Sequence, residues 1–236
     1  MNYHHQKFLI CGAGQFGSRA SYILSQDPKN KITIIDHDLK KLNQIDEPSA
    51  TKIQFEVIDY LLRQQSLLRP ENVIIPAVPF HLAFEWLIAM IQKDHQTHRL
   101  NVPPGIISKL PHPSQSNKKE TICSYADFIC PEDCVEPEHI CTITGMPRGI
   151  PLFELMTGIK SKGFRTGVIR SRQIGPGIGG YSVREIWDLK ERIVQGKIGK
   201  WVIGTACRCH GILSAFKIIN PIVAKVEDAA DPRRQG

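Results

Sequence analysis

The stretch KFLICGAGQFG, residues 7–17, decides how the chain begins to fold. A short apolar run leads into Gly12, Gly14 and Gly17, spaced as G-x-G-x-x-G, and a helix-forming segment follows at once. In a dinucleotide-binding fold the first glycine permits a tight turn and the second lets the backbone approach a pyrophosphate. The third lets the helix pack closely on the strand. The pattern therefore predicts a strand, a turn and a helix whose free N–H groups would hold a pyrophosphate.

The sequence after the glycines agrees with this interpretation. Residues 31–35, KITII, are typical of a strand, and it ends at Asp36, 19 positions after Gly17. A carboxylate there accepts hydrogen bonds from an adenosine ribose and repels a 2′-phosphate, which favours NAD(H). The predicted cofactor-binding residues are Gly12, Gly14, Gln15, Phe16, Gly17 and Asp36. The alternative is a similar fold whose cleft is empty or repurposed.

Composition sets broad limits. A chain of 236 residues with 42% hydrophobic residues has room for one large or two small domains with a proper core. The net charge of +7 permits an anionic partner, but it fits a dinucleotide, a nucleic acid or a solvated surface equally well. No apolar run approaches the ~20 residues that span a bilayer, and the early first strand leaves no room for a secretory leader. We expect a soluble, cytoplasmic protein without a membrane partner.

The order of predicted elements indicates an α/β fold. Residues 7–92 alternate strands and helices, which favours a doubly wound parallel sheet. The predicted segments are a Rossmann-like domain over residues 1–100, a Pro-rich connection over 101–122, a Cys-rich α+β region over 123–226 and a frayed tail over 227–236. A third strand is expected over residues 52–58, a short strand near 105–108 and another over 164–174. A helix over residues 81–92 is apolar almost all round, so it should be buried in the domain or in a homodimer interface.

Three short motifs in the first ninety residues carry a family resemblance. They are ICGAGQFG at residues 10–17, IIDHD at residues 34–38, and Asp59 after the third predicted strand. With these motifs the segment resembles the TrkA-N-like NAD-binding regulatory domains of bacterial potassium channels and transporters. The resemblance implies a dinucleotide held by Gly12, Gly14, Gly17 and Asp36, with Asp59 as an additional candidate. The resemblance covers well under half the chain and does not carry function. The chain has no pore segment, and its cysteine-rich region is foreign to that family.

The seven cysteines are the second distinctive feature. In a reducing compartment cysteines serve as ligands or reactive thiols more often than as structural disulfides. Cys123, Cys130, Cys134 and Cys141 are spaced as C-x6-C-x3-C-x6-C, and Cys207-Arg208-Cys209-His210 follows downstream. The three-residue loop after Cys130 can bring two thiolates to one centre. In a strand, Cys207 and Cys209 would share a face.

These spacings predict a metal centre. The predicted ligands are Cys130, Cys134 and Cys141 with one of Cys207, Cys209 or His210. Tetrahedral thiolate sites suit zinc and Cys-only sites also suit iron–sulfur clusters, so both stay open. A thiol redox pair and ordinary reduced cysteines are the alternatives. Cys123 is the weakest candidate because it falls in a strand, and Cys11 is expected to be a small hydrophobe in the first strand.

Three weaker features compete with ordinary structural roles. His81 and Glu85 lie at i, i+4 near the start of a helix, where His81 could transfer a proton; a structural His with an ion-paired Glu is the more common case. The glycine-rich residues 175–180 fit a lid, an anion-binding nest or a simple turn. Basic side chains near one predicted strand could meet phosphate or stay solvated; they are Lys160, Lys162, Arg165, Arg170 and Arg172.

Three functions follow. The first is an NAD(H)-binding protein with a Cys-ligated metal or cluster and a redox role; as an enzyme it would be an NAD-dependent oxidoreductase with a small-molecule or protein partner. The second is a non-catalytic NAD(H)-sensing regulatory module with a structural zinc, favoured by the lack of a recognisable catalytic dyad. Nucleic-acid binding ranks last, because only 7% of the residues are aromatic and no nucleic-acid-binding motif is present.

Overall fold

The first predicted strand is present and lies at the centre of a six-stranded sheet. The structure, a computed structural model, describes residues 6–116, 119–136, 138–196 and 198–221. It is a mixed α/β fold with two mixed sheets. The predicted tail at residues 227–236 lies outside the described residues. No helix in the described ranges is long and apolar enough to cross a bilayer.

The elements alternate regularly in the first half of the chain. In order they are β1 (Lys7–Cys11), α1 (Gln15–Ser25), β2 (Lys31–Asp36), α2 (Leu39–Gln44), β3 (Thr51–Gln54), α3 (Val57–Arg63), β4 (Val73–Pro76), α4 (Leu82–Ile91) and β5 (His95–Leu100). The second half contains α5 (Pro104–Ile107), β6 (Ser114–Gln115), β7 (Thr121–Ser124), α6 (Leu152–Gly158), β8 (Phe164–Arg170), β9 (Arg172–Gly175), β10 (Ile178–Ser182), α7 (Val183–Gln195), β11 (Gly199–Ala206) and β12 (His210–Pro221).

The first sheet has the strand order β3-β2-β1-β4-β10-β9. The first four strands are parallel, whereas β10 and β9 join as an antiparallel pair. Alternation along β1 sends Phe8 and Ile10 to the face covered by α1 and α2, and Leu9 and Cys11 to the opposite face, which α3, α4 and α7 cover. Cys11 is therefore a buried small hydrophobe, as predicted, and its burial raises the pKa of its thiol.

The second sheet has the order β6-β7-β12-β11-β8, with β5 paired to β12. Each sheet includes a strand from the other half of the chain. The strand β5 lies within residues 1–100 but pairs with β12, and the β9–β10 hairpin follows the cysteines but extends the first sheet. The two sheets are thereby interlocked through the chain.

Helix α4 lies between the sheets. Eight of its ten residues are buried, and it packs against α3, α7, β5 and β11. Its apolar surface is thus covered within the chain, which explains why the sequence is apolar almost all round. The helix α7 beside it begins with a capping box, in which the Ser182 hydroxyl accepts from the Glu185 N–H and the Glu185 carboxylate accepts from the Ser182 N–H.

Four local predictions are wrong. Residues 105–108 belong to the short helix α5, which starts at a proline whose missing N–H costs little there. The strand β3 is shorter than predicted and precedes a helix start. The strand expected over residues 164–174 is two strands, because the chain leaves the second sheet after β8 and enters the first with β9. Cys207 and Cys209 lie in the turn between β11 and β12, so they do not share a strand face.

Candidate functional site

The glycine turn between β1 and α1 is required by the packing of the chain at two of its three glycines. Gly12 has a φ of 112°, and a Cβ there would lie 2.3 Å from the Ala77 carbonyl oxygen. A Cβ at Gly17 would lie 1.9 Å from the Gly12 oxygen. Neither position accepts a side chain while the backbone stays in place. These two residues therefore fix the tight turn and the close contact of helix and strand.

Gly14 differs from its neighbours. A Cβ added at Gly14 meets no atom within 4 Å, and the backbone there is extended rather than left-handed. The residue caps α1 without a side-chain hydrogen bond, and no acidic residue lies in the first turn. The first-turn N–H groups of α1 have no partner within the helix. Packing thus gives no reason for glycine here, whereas an anion lying against the helix N-terminus does.

Asp36 lies beside this turn at the end of β2. Its carboxylate is almost fully buried, at 7% residue exposure. One oxygen accepts the Ala13 N–H at 2.7 Å and the other accepts the Asp38 N–H at 2.8 Å. A carboxylate has about four acceptor positions, so these two bonds use only part of its capacity. The His37 Nδ1 lies 3.6 Å from the oxygen that accepts the Asp38 N–H. The turn and the acid are therefore brought together as the sequence predicts.

The other predicted cofactor-binding residues lie at the rim. Gln15 and Phe16 are exposed in the first turn of α1, and Phe16 is 53% exposed. Asp59 is also exposed, but it lies in the first turn of α3 rather than at the end of a strand.

A cavity of about 470 Å³ opens at the carboxyl end of β4. Its walls include Val78 and Phe80, and its polar lining includes His81, Glu120 and Tyr181. The Tyr181 hydroxyl is buried and has no hydrogen-bond partner within the described part of the chain. Sequence reasoning missed Glu120 and Tyr181, since strands far apart in the chain bring them together. A buried unpaired hydroxyl in a largely apolar cavity suits a small ligand with a polar group.

His81 and Glu85, the candidate catalytic residues, are occupied by structural contacts. Both ring nitrogens of His81 are hydrogen-bonded at 2.9 Å, Nδ1 to Ser214 Oγ and Nε2 to Thr205 Oγ1. Burial lowers the pKa of His81 to about 3, so the ring is neutral near pH 7. Glu85 forms a two-pronged ion pair with Arg99. The geometry favours the structural interpretation over proton transfer for both residues.

The cysteine region contains two turns in which backbone N–H groups point at sulfur. The Cys207 sulfur accepts the N–H groups of Cys209 and His210 at 3.4 and 3.3 Å. The Cys141 sulfur accepts from the Thr144 hydroxyl and from the N–H groups of Thr144 and Ile143, and these bonds lower the pKa of Cys141 to about 6. Such bonds favour a thiolate over a thiol, and at Cys141 they outweigh burial. At Cys207 burial outweighs them and raises the pKa of the thiol.

Five thiols lie in one neighbourhood. Burial raises the pKa of the Cys130 thiol, and the thiolates of Cys134, Cys141 and Cys207 raise it further. Burial also raises the pKa of Cys209 to about 11, followed by the effect of Cys207. Across the described ranges, no three His, Cys, Asp or Glu side chains already converge as a metal site. All seven cysteines are free thiols.

Cys123 borders this group, since burial and then the nearby Cys207 raise the pKa of its thiol. It lies in β7 with 1% exposure, and its sulfur faces the Gly211 carbonyl oxygen at 3.7 Å. His210 begins β12, and its Nδ1 lies 3.9 Å from the Cys207 sulfur.

The cysteine segment contacts the glycine turn. The Gln15 side chain, in the first turn of α1, donates to the Glu132 carboxylate. The Cys134 carbonyl accepts from the Gln173 side chain at 2.7 Å and from the Gly177 N–H at 3.0 Å. Residues 175–180 span the turn of the β9–β10 hairpin, with Pro176 and the left-handed Gly177 between the two strands. This hairpin supports the cysteines beside the predicted dinucleotide site.

The basic side chains do not form a common surface. Arg165 donates to the Gly196 carbonyl and covers Trp201, and Arg170 covers Phe153. Arg172 forms an ion pair with Glu185 at 2.8 Å. Lys160 and Lys162 are exposed beside β8. The arginines therefore act mainly in packing and in local ion pairs.

Two comparisons with known proteins concern this chain. A family model described as "Uncharacterized protein, C-terminal domain" matches residues 83–219, more than half of the chain. The match runs from α4 into β12 and includes six of the seven cysteines. A protein of Archaeoglobus fulgidus, described as "Uncharacterized protein", is 29% identical over 226 residues, covering 89% of this chain and 98% of that protein. The similarity to this relative therefore extends over both sheets.

Proposed function

The chain belongs to the family of uncharacterized proteins defined by this C-terminal domain, and we propose that it binds NAD(H) at the turn of Gly12, Gly14 and Gly17. The observation that carries the proposal is Gly14, whose missing side chain leaves open space at a helix N-terminus without any need from packing. The parallel strand order β3-β2-β1-β4, with helices on both faces of the sheet, supports a Rossmann-like first half of the chain. The TrkA-N-like resemblance implies the same fold.

Each part of the dinucleotide has a plausible partner in this arrangement. The pyrophosphate would lie on the first-turn N–H groups of α1, and the adenosine ribose on Asp36. Because β2 and β4 flank β1 on opposite sides, the other half of the dinucleotide would lie toward β4, where the cavity with Tyr181 opens. Bound NAD(H) would supply hydride-transfer chemistry. The substrate would enter the largely apolar cavity, which makes a redox role the first proposal.

The free cysteines fit this proposal. All seven are unpaired, and thiols persist in a reducing compartment. A cytoplasmic location is therefore part of the proposed function.

The Asp36 carboxylate provides a direct test of cofactor choice. In Asp36→Asn the negative charge is lost but an oxygen acceptor remains for the Ala13 N–H. We expect the preference for NADH over NADPH to fall by about tenfold or more, since the repulsion of the 2′-phosphate is worth roughly 1.4 kcal/mol or more at a short distance. Fluorescence titration measures the two dissociation constants. Their ratio does not change if part of the variant protein is unfolded, because unfolding affects both measurements equally. Asp46→Asn, at an exposed position, is the matched control for charge. An unchanged ratio in Asp36→Asn would contradict the assignment.

A non-catalytic NAD(H) sensor is the second candidate. It is favoured by the engagement of both His81 nitrogens, which removes His81 as a general base for the cavity. A sensor would change its assembly or its hydrogen-exchange pattern on binding NADH, and it would not oxidise NADH with any carbonyl substrate in a broad screen. Substrate-dependent NADH oxidation would decide for the enzyme. Nucleic-acid binding stays third, because the arginines are engaged locally; a salt-sensitive gel shift would favour it.

A further inference from the structure

We propose that the cavity at the carboxyl end of β4 binds a small aliphatic amine as its ammonium ion, with the Glu120 carboxylate as the counter-ion. Where this names the class of substrate, the inference rests on the proposed function, which assigns the substrate to this cavity. Binding of the amine itself requires no dinucleotide, because the residues that line the cavity are not those of the glycine turn or Asp36.

Glu120 is a buried carboxylate in the wall of the cavity. It immediately precedes β7 and is only 5% exposed. One of its oxygens accepts the backbone N–H of His81 at 3.0 Å, and the other accepts the Ser116 hydroxyl at 3.1 Å. Both donors are neutral, and a carboxylate has about four acceptor positions. The two bonds therefore orient the carboxylate without balancing its charge.

Within the described ranges, no ion pair balances the charge of Glu120. The ion pairs there join other residues, namely His37 with Asp36, Arg99 with Glu85, and Arg172 with Glu185. The pKa of Arg99 is raised first by its hydrogen bond to Glu85 and least by the charge of Glu120. Lys119, the adjacent residue, is exposed. A buried carboxylate without a counter-ion carries a large desolvation cost, which a cation in the cavity would offset.

His81 does not supply the missing positive charge. Its side chain is buried, and its two ring nitrogens are hydrogen-bonded at 2.9 Å to the hydroxyls of Ser214 and Thr205. A hydroxyl both donates and accepts, so these partners satisfy a neutral imidazole. Burial lowers the pKa of His81 to about 3, which keeps the ring neutral near pH 7. The ring therefore neither neutralises Glu120 nor repels an ammonium ion.

The rest of the cavity selects the shape of the ligand. Its volume of about 470 Å³ is that of a small-molecule site, and Val78 and Phe80 offer apolar contact. The Tyr181 hydroxyl lines the same cavity, is buried and has no hydrogen-bond partner within the described part of the chain. An ammonium group has three N–H donors, which suits both a carboxylate and a phenolic oxygen. An anionic ligand would be repelled. The ligand therefore combines an ammonium group with a compact apolar body.

Calorimetric titration of the full native chain with cyclohexylamine hydrochloride, at pH 7 and without dinucleotide, tests the proposal. At this pH the amine is protonated, as the lysine side chain is. Cyclohexanol is the control ligand, because it has nearly the same shape and no charge. We expect the amine to bind at least about tenfold more tightly than the alcohol, because only the amine is attracted to the carboxylate as an ion. This comparison needs no variant, so it holds even where a variant fails to fold.

Two variants locate the bound amine. Glu120→Gln keeps an oxygen acceptor for the His81 N–H but removes the charge, so the affinities for amine and alcohol should become equal. Glu71→Gln, at an exposed position before β4, is the matched control and should keep the preference for the amine. Tyr181→Phe removes only the unpaired hydroxyl. It should weaken amine binding by about three- to tenfold without lowering the melting temperature, since the free chain loses no hydrogen bond.

Three results would overturn the proposal. One is the absence of amine binding to the folded native chain at millimolar concentration. Another is equal affinity of the native chain for amine and alcohol, which would indicate a site for a neutral ligand. The third is an undiminished preference for the amine in folded Glu120→Gln.

Titration of the same samples with NADH keeps the two proposals apart. Amine binding without NADH binding would contradict only the proposed cofactor site. NADH binding without amine binding would contradict only the assignment of this cavity to an amine.

Discussion

Gly14→Ser is expected to weaken NADH binding by about 10- to 100-fold, because a side chain that overlaps a bound ligand costs about 1–3 kcal/mol of binding free energy. The new Cβ and Oγ would occupy the space in which the pyrophosphate is expected to lie against α1. The free chain should tolerate the change, since no atom lies within 4 Å of the added Cβ. Serine also suits the extended backbone of an N-cap, where its stability is within a few tenths of a kcal/mol of that of glycine or better. Calorimetric titration with NADH and a thermal melt measure the two effects on one sample.

Gly17→Ala is the matched control for Gly14→Ser. Its Cβ would lie 1.9 Å from the Gly12 oxygen, so the helix must move away from the strand. We expect a loss of about 1–3 kcal/mol of unfolding free energy, seen as a lower melting temperature. The pair therefore separates a glycine needed for folding from one needed for the ligand. Unchanged NADH binding in a folded Gly14→Ser variant would contradict the proposed site.

Acid should destabilise the fold through His81. The folded-state pKa of about 3 lies below the unfolded value of 6.5, so the unfolded chain binds the extra proton. The contribution of His81 to the free energy of unfolding is fully present above pH 6.5, and it is lost as the pH falls toward 3. Between pH 7.5 and pH 5 we expect a contribution of about 2 kcal/mol to the fall in unfolding free energy. The other titratable groups at this cavity are Tyr181 and Glu120, whose carboxylate accepts the backbone N–H of His81 at 3.0 Å.

His81→Gln isolates this contribution from the other titrating groups. Glutamine can still hydrogen-bond Thr205 or Ser214 but does not titrate. Urea unfolding at pH 7.5, 6.5 and 5 should show a smaller loss of stability in the variant than in the native chain, whatever their absolute stabilities. Equal pH slopes would contradict a neutral, buried imidazole.

The first half of the chain could be predicted from the sequence because its signals are local. The glycine turn, the acid 19 positions later and the alternating apolar runs each lie within one strand–turn–helix unit. The same holds for the capping box at Ser182 and Glu185. The predicted cofactor turn and Asp36 therefore lie together in the structure, although the ligand itself is a proposal.

The second half depends on contacts between distant residues. Apolar alternation continues from β8 into β9, and it does not show that the chain changes sheets at Ser171. Cys207 and Cys209 fit a strand or a tight turn equally well by spacing, and pairing of β11 with β12 selects the turn. Tyr181 reaches the cavity because β10 pairs with β4, a contact that no short motif encodes. Sequence patterns identified the thiols but not the N–H groups that orient them.

Calorimetric titration of the native chain with NADH and NADPH tests the central claim most directly. We expect one NADH site per chain and a dissociation constant at least about tenfold lower for NADH than for NADPH, because Asp36 disfavours a 2′-phosphate. The absence of heat with either dinucleotide at millimolar concentration, or a preference for NADPH, would contradict it.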